Sequence, residues 1–204
     1  KQAIAAGQWQ TALSPTLTSI EPSITVADIQ ANFSEIGKFT TTYDYKGTAE
    51  DTEDQRAMIP NRAFNVEKAA DKISKQVVKP GEEWSFNEVV GDRNLENGWK
   101  EANGIFGGDR LTKQYGGGVC QVSTTLYNAL LKAFPYIEIV KRQQHSFPST
   151  YVDMGLDATV DTGHIDFIFK NTSEHPLYIY AYYTNNKMAK SRKRDLTVVI
   201  YGQA

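Results

Sequence analysis

The one cysteine of the chain, Cys120, stands where a thiol could act as a nucleophile. It directly follows the run Gly116–Val119 and opens a stretch whose apolar spacing is typical of an amphipathic helix. The first N–H groups of a helix lack internal partners and carry partial positive charge, so they favour a thiolate. The glycines would let backbone N–H groups approach an oxyanion. The alternative is a buried structural cysteine beside a tight turn. Composition leaves the two interpretations near even, and the glycines favour the catalytic one.

A cysteine nucleophile needs a base or an ion-pair partner, and the sequence offers three histidines. His145 ranks first because it lies just past a predicted strand end, and catalytic groups are common at such ends. His164 ranks second, because period-two spacing puts it on one strand face together with Asp166. His175 ranks last, since it precedes a proline in a predicted turn and is expected to face solvent.

Two carboxylates, Asp157 and Asp166, are candidates to orient the histidine, and a capping or turn role is the alternative for both. Arg142 is a candidate to bind a substrate carboxylate through its planar set of N–H donors. The alternative interpretation is that Arg142 is a solvent-exposed residue at the end of a strand. Sequence alone leaves these pairs of interpretations open.

The predicted elements return His145 to the start of the cysteine helix. Residues 120–134 are predicted as that helix, which Pro135 ends. Residues 137–141 are predicted as a strand running back. The extended chain from Pro135 to His145 can span ~33 Å, whereas the helix needs only ~21 Å of return. The same reasoning does not place His164, which lies beyond a further loop.

Helical patterns come early in the chain and strand patterns come late. We therefore predict an α+β fold with a largely antiparallel sheet, a few helices, and the catalytic cysteine at the N-terminus of a central helix. Residues 47–62 are predicted as a loop and residues 84–118 as short strands and ordered loops. Two further helices are predicted at 25–36, ended by Gly37, and at 65–78. The other predicted strands are 38–45, 165–170, 177–184 and 196–201.

Composition narrows the class of protein. Lys and Arg number 22 against 24 Asp and Glu, and the net charge of -2 disfavours a non-specific nucleic-acid partner. No stretch approaches the ~20 apolar residues of a membrane span. A single cysteine excludes an intrachain disulfide and a zinc site of paired cysteines, and we expect no metal and no cofactor. The motifs of P-loop ATPases, zincins and common serine acyl-transfer enzymes do not occur.

Several segments resemble the signature blocks of the VanW family. Pro80–Asn87 (PGEEWSFN) resembles one block, and Gly116–Asn128 (GGGVCQVSTTLYN) resembles the long cysteine block. The resemblance covers about residues 36–183. Residues 1–24 are expected to be a linker or the tail of an upstream region, and residues 25–204 the VanW-like catalytic domain. The downstream matches are Arg142, His145–Ser146, Tyr151 and Gly155–Val160.

The resemblance implies more than the spacing does. VanW domains occur in bacterial envelope proteins, often behind a membrane anchor and peptidoglycan-binding modules. The family is regarded as a class of L,D-transpeptidases with the signature cysteine as nucleophile. It implies that role for Cys120, peptidoglycan stem peptides as partners, an extracytoplasmic envelope location, and a membrane-anchored full-length protein. Val119 precedes the cysteine here, unlike the histidine-glycine pair of the better-known transpeptidases, so no base is carried over from them.

Under the enzyme hypothesis, the Cys120 thiolate attacks the carbonyl carbon of the third residue of a stem tetrapeptide and expels D-alanine. His145 is the base or ion-pair partner of the cysteine. Backbone N–H groups from Gly118 to Gln121 would stabilise the oxyanion. Two alternatives stay open: a non-catalytic cell-wall-binding module with a structural cysteine, and a cysteine peptidase or amidase that uses water as acceptor. The residues expected to hold the donor peptide are Tyr115, Arg142 and Ser146.

Overall fold

The computed structural model describes residues 33–106, 110–146, 148–186 and 192–203. These ranges contain three helices and nine strands, and every strand pair is antiparallel, so the predicted α+β class is confirmed. The predicted linker at 1–24 and the predicted helical start at 25–32 lie outside the described residues. The helices are α1 (Glu53–Ile73), α2 (Phe86–Val90) and α3 (Val119–Lys132). The strands are β1 (Ser34–Asp44), β2 (Gln76–Val78), β3 (Glu83–Ser85), β4 (Glu101–Phe106), β5 (Arg110–Tyr115), β6 (Ile137–Lys141), β7 (Ile168–Asn171), β8 (Leu177–Asn185) and β9 (Lys193–Gly202).

The largest sheet has the strand order β1–β9–β8–β2. Leu177, Ile179 and Ala181 of β8 are buried, and the residues between them are more exposed. This alternation is what a strand with one face on the core requires. Helix α3 packs against β1 and β9, and α1 packs against β8. The helix that carries the cysteine is therefore seated on the main sheet.

Two smaller sheets contain the strands that precede and follow α3 along the chain. Strands β3, β7 and β6 form one of them, with Trp84 packed on Phe169 at 5.5 Å between ring centroids. Strands β4 and β5 form the other, paired from Glu101 opposite Tyr115 to Phe106 opposite Arg110. Strand β5 leads into the glycine run before α3, and β6 follows α3 along the chain. These sheets thus connect directly to both ends of the cysteine helix.

The predicted loop at 47–62 is wrong from Glu53 onward, where α1 begins. A capping box starts this helix: the Gln55 N–H donates to Thr52 Oγ1 at 3.2 Å, and the Thr52 N–H donates to Gln55 Oε1 at 2.9 Å. The first turns are solvent-exposed and polar, so they show no apolar stripe. The predicted helix at 65–78 ends early, because Lys75 has φ 65° and the chain then enters β2.

Gly37 lies inside β1 and does not end a helix, so the prediction for residues 34–37 is wrong. A Cβ at this position would lie 2.2 Å from the carbonyl oxygen of Ala129, and only glycine lets β1 cross α3 this closely. The predicted strand at 165–170 begins only at Ile168, because His164 lies in a turn closed by the Asp161–Ile165 bridge. The strands predicted at 38–45, 137–141, 177–184 and 196–201 are confirmed as β1, β6, β8 and β9.

Candidate active site

The turn before Cys120 brings three parts of the chain into close contact. Gly118 is the N-cap of α3 with φ 107°, and a Cβ on it would lie 2.8 Å from Cγ of Arg62. A Cβ on Gly117 would lie 2.4 Å from the carbonyl oxygen of Ala102. Glycine at both positions therefore lets α3 start against α1 and β4. Cys120 is the second residue of α3, and its side chain is partly exposed.

We expect Gly118→Ala to lower the free energy of unfolding by about 2–4 kcal/mol, because it adds both left-handed backbone strain and a steric clash. Urea denaturation measures this loss. The matched control is Gly163→Ala, at φ 77° with nothing within 4 Å of the added Cβ, which adds the strain alone. Equal losses in the two variants would contradict a packing role for Gly118.

Two groups contact the thiol. The side chain of His145 lies close enough to interact with Cys120, and Sγ of Cys120 lies 3.4 Å from the carbonyl oxygen of Val160, to which the thiol donates. His145 is buried, with 7% of its surface exposed. The thiol therefore sits between a nearly enclosed imidazole and the chain segment that follows Asp157.

Asp157 holds the imidazole from the other side. Its Oδ2 accepts from Nδ1 of His145 and also from the His145 backbone N–H, the latter at 2.6 Å. The carboxylate is 4% exposed. Because Nδ1 is engaged, Nε2 is the ring nitrogen left for the thiol, and the ring orientation is fixed. Cysteine, histidine and aspartate thus form a connected chain of side chains, the arrangement of a nucleophile, its base and an orienting group.

The environment of His145 shifts its pKa upward overall. Burial alone would lower the pKa, because it disfavours the charged ring. The interaction with Cys120, including the negative charge of its thiolate, raises the pKa, and the contact with Asp157 raises it further. The net rise favours imidazolium, the form that pairs with a thiolate.

We expect the pH dependence of the free energy of unfolding to reflect the raised pKa of His145 and the contribution of Asp157 to it. Since the pKa of His145 is higher in the folded chain, the folded protein binds more protons, and the free energy of unfolding falls as pH rises from about 6.5 through the folded-state pKa. Asp157→Asn removes one cause of the rise, so the fall becomes smaller. Urea denaturation across this pH range, with the exposed Asp153→Asn as control, measures it. An unchanged slope in Asp157→Asn would contradict the assignment.

The segment from Leu156 to Val160 is held against α3 by side chains of the helix. Ser123 Oγ donates to the carbonyl oxygen of Ala158 at 2.6 Å, and the Ala158 N–H donates to Thr124 Oγ1 at 2.9 Å. Asn128 Nδ2 donates to the Leu156 carbonyl at 2.6 Å. These polar helix residues, all buried, place Asp157 and Val160 beside the cysteine.

The structure does not bring Arg142 to the cavity that holds the thiol. Its Nε donates to the carbonyl oxygen of Asp157 at 2.7 Å, and its Nη2 donates to the carbonyl of Gly155 at 2.6 Å. The guanidinium also lies 5.1 Å from the centre of the Tyr127 ring. Arg142 therefore positions the backbone around Asp157, and its predicted contact with a substrate carboxylate has no geometric support.

Asp166 is likewise not at the imidazole. Its Oδ2 accepts from Ser85 Oγ at 2.5 Å, and its Oδ1 accepts from the Asn87 N–H at 3.0 Å. It thus holds the start of α2, which corresponds to its alternative capping role. Of the residues predicted to bind the donor, Tyr115 lines the cavity, whereas Ser146 is exposed and is not among the described residues that line it.

The backbone donors near the thiol are Gly118 and Cys120. The Gln121 N–H donates to the Gly118 carbonyl at 3.0 Å, so the predicted oxyanion role does not fit Gln121. Its side chain accepts from Arg62 Nη2 at 2.8 Å and donates to Thr41 Oγ1 at 3.0 Å. Among the backbone bonds of the described ranges, none uses the N–H of Gly118 or of Cys120.

A cavity of about 600 Å³ contains the thiol and several groups that sequence reasoning missed. Arg62 comes from the part of α1 predicted as loop, and Arg93 comes from the segment after α2. Burial lowers the pKa of both guanidinium groups, and the negative charge of the Cys120 thiolate opposes that shift. Burial raises the pKa of Tyr151, as does the same thiolate charge. The sequence did single out Tyr151, because it lies in a block that resembles the VanW family. It offered no comparable indication for the two arginines.

Neither a metal cluster nor a membrane helix accompanies this site. Across the described ranges, no group of three or more His, Cys, Asp or Glu side chains is arranged to hold a metal ion. No helix in those ranges combines the length and apolar character that crossing a membrane requires.

The fold and site define an α+β domain with a partly exposed cysteine at a helix start, beside a carboxylate-bound histidine. The chain belongs to the VanW family, whose model, described as "VanW like protein", matches residues 61–191. No solved structure matches the chain.

Two relatives are similar to this chain in sequence. The chain is 43% identical over 121 residues to "Uncharacterized protein YoaR" of Bacillus subtilis (strain 168), a match that covers 59% of this chain and 39% of that protein. It is 30% identical over 133 residues to "Vancomycin B-type resistance protein VanW" of Enterococcus faecalis (strain ATCC 700802 / V583), covering 63% and 47% respectively. The matches thus span less than half the length of either relative.

Proposed function

We propose that this domain is a cysteine acyltransferase, an L,D-transpeptidase that joins peptidoglycan stem peptides. The observation that carries the proposal is the partly exposed Cys120 thiol beside the buried His145, which Asp157 orients, in a cavity that both side chains line. A structural cysteine would need no oriented imidazole and no access from a cavity.

The acylation step follows from these contacts. The Cys120 thiolate attacks the carbonyl carbon of the third residue of the donor peptide, and the carbonyl π electrons move to oxygen. The tetrahedral adduct then collapses, the C–N bond to D-alanine breaks, and imidazolium on His145 gives its proton to the leaving nitrogen. A thioester on Cys120 and a neutral imidazole result.

Transfer to the acceptor reverses the proton movement. The neutral side-chain amine of a second stem peptide attacks the thioester, and His145 accepts a proton from the attacking nitrogen. Collapse forms the new amide and expels the Cys120 thiolate, which restores the thiolate–imidazolium pair. We assign the N–H groups of Gly118 and Cys120, which make no backbone hydrogen bond in the described ranges, as donors to the oxyanion in both steps.

The cell-envelope assignment has separate support. The enterococcal relative is named for vancomycin resistance, and the cysteine block of this chain matches the family signature. We therefore propose an extracytoplasmic location and stem peptides as both donor and acceptor. Membrane anchorage of the full-length protein is part of the same proposal.

Intact-mass measurement after incubation with a synthetic tetrapeptide donor tests the function. We expect an adduct on Cys120 equal to the donor without its terminal D-alanine, and a crosslinked product once an amine acceptor is added. Free tripeptide with no crosslinked product would show that the domain is a hydrolase and not a transferase. Absence of both adduct and product would contradict an enzymatic role and favour a wall-binding module.

A further inference from the structure

Arg93 carries a buried donor that the protein does not use. Its Nη1 donates to Asn87 Oδ1 at 2.9 Å, but its buried Nη2 has no hydrogen-bond partner in the described part of the chain. Buried polar atoms are nearly always paired, so an unpaired guanidinium nitrogen points to a ligand. Arg93 lines the same cavity as Cys120.

The glycine run that positions the thiol also positions Arg93. A Cβ on Gly116 would lie 2.8 Å from Cβ and 3.0 Å from Cδ of Arg93, so the side chain is packed directly against the turn. Thr162 lines the same cavity, and its buried Oγ1 also lacks a partner within the described ranges. Two residues that line the cavity of the thiol therefore each carry a buried polar atom without a partner in the described ranges.

A second guanidinium strengthens the positive charge there. Arg62 lines the cavity and interacts electrostatically with Cys120, as Arg93 does. Asp161 and Glu101 also line the cavity, and Asp161 interacts electrostatically with Arg93. Lys113, which also lines the cavity, is engaged with Asp54 at 2.5 Å. Apart from the imidazolium of His145, the two arginines are thus the cations of the lining that interact with Cys120.

We propose that Arg93, assisted by Arg62, binds the terminal carboxylate of the donor peptide. This inference rests on the proposed function, because the donor of that reaction has its free carboxylate one residue beyond the scissile carbonyl. Three bonds separate the two carbon atoms, which keeps them within ~4 Å of each other. A carboxylate at that separation falls beside the sulfur, where a guanidinium can bind it through paired N–H donors.

The subsite gives the domain a rule for choosing donors. A tetrapeptide places its terminal carboxylate against Arg93 when its third residue is at Cys120. A pentapeptide bound in the same register places a neutral amide there and leaves the buried guanidinium without its anion. We therefore expect tetrapeptides to be selected over pentapeptides and over tetrapeptide amides.

Binding to the Cys120→Ala variant tests the subsite without any chemistry. The probe is the synthetic tetrapeptide L-Ala-γ-D-Glu-L-Lys-D-Ala, whose third residue has no carboxylate, measured by calorimetry. We expect a terminal amide to reduce affinity by about tenfold or more, and amidation of the D-glutamate α-carboxyl to leave it nearly unchanged. Adding Arg93→Gln should remove the preference for acid over amide.

Two further variants make the result specific. Arg93→Lys keeps the charge but not the paired donors, so the preference should fall only in part. Arg56→Gln removes a cation of α1 outside the cavity and should keep the full preference; thermal unfolding checks that each variant is folded. Equal affinity for acid and amide, or no binding of either, would overturn the proposal, as would sensitivity to D-glutamate amidation alone.

The two proposals fail differently. If wild-type protein forms no thioester but the Cys120→Ala variant still prefers the free acid, the acyltransferase is wrong and the carboxylate subsite stands. If wild type is acylated equally well by acid and amide donors, the subsite is wrong and the acyltransferase stands.

Discussion

Cys120→Ala is expected to reduce thioester and crosslink formation by about a thousandfold or more, because the thioester of the proposed mechanism forms on this sulfur. The substitution removes one sulfur atom from a partly exposed position, where its contacts are the 3.4 Å bond to Val160 and the interaction with His145. The free energy of unfolding should therefore change by about 1 kcal/mol or less. Intact mass and quantified crosslinked product measure the first effect, and urea denaturation the second.

Cys120→Ser is the matched control for this experiment. It keeps a hydrogen-bonding group of similar size at the helix start but replaces the thiol with a much weaker nucleophile. We expect it to be as inactive as the alanine variant and equally stable. Crosslinked product at wild-type level in either variant would show that the cysteine is not the nucleophile.

His145→Ala is expected to slow thioester formation by about 10²–10⁴-fold, the range typical of a lost acid–base group. The comparison variant is His164→Ala, whose side chain is exposed and lies outside the lining of the cavity. It should retain wild-type rates. Single-turnover mass measurements with the tetrapeptide donor give both rates.

Removing His145 also leaves the Asp157 carboxylate buried without its imidazole, so the alanine variant should lose stability as well. His145→Gln retains a side-chain donor for the carboxylate and separates the two effects. A folded glutamine variant that remains slow supports the acid–base role. An inactive but folded His164→Ala, together with an active His145→Ala, would reverse the assignment.

The neighbourhood of Cys120 was predictable because it depends on local pattern and chain length. The glycine run, the amphipathic spacing after it, and the returning strand together predicted that His145 would reach the helix start, and in the structure both side chains line one cavity. Asp157 lies in the next loop, and sequence offered it only alongside Asp166. Sequence offered no means of choosing between the two carboxylates. The predicted strand that would have placed Asp166 beside His164 is a turn at His164 in the structure.

The arginines of the cavity were not predictable by the same means. Arg62 lies in the N-terminal half of α1, which has no fully buried residue and no apolar stripe, so a loop was the natural prediction. Arg93 depends on a contact with Gly116, distant in sequence, which no local pattern encodes. Arg142 shows the converse: a basic residue at a strand end suggested ligand binding, yet its donors are used by backbone carbonyls.

The attachment of residues 156–160 to α3 has a consequence for how the site opens. This segment belongs to no sheet, and it is held by the side chains of Ser123, Thr124, Asn128 and Arg142 and by the backbone bond from Thr159 to Gln143. Such a segment forms its own cooperative unit, with an opening free energy below that of global unfolding. The amides of His145 and Ala158 would then exchange with solvent deuterium at similar rates, faster than those of β9. Each opening event would separate the histidine from the cysteine while the main sheet stays folded.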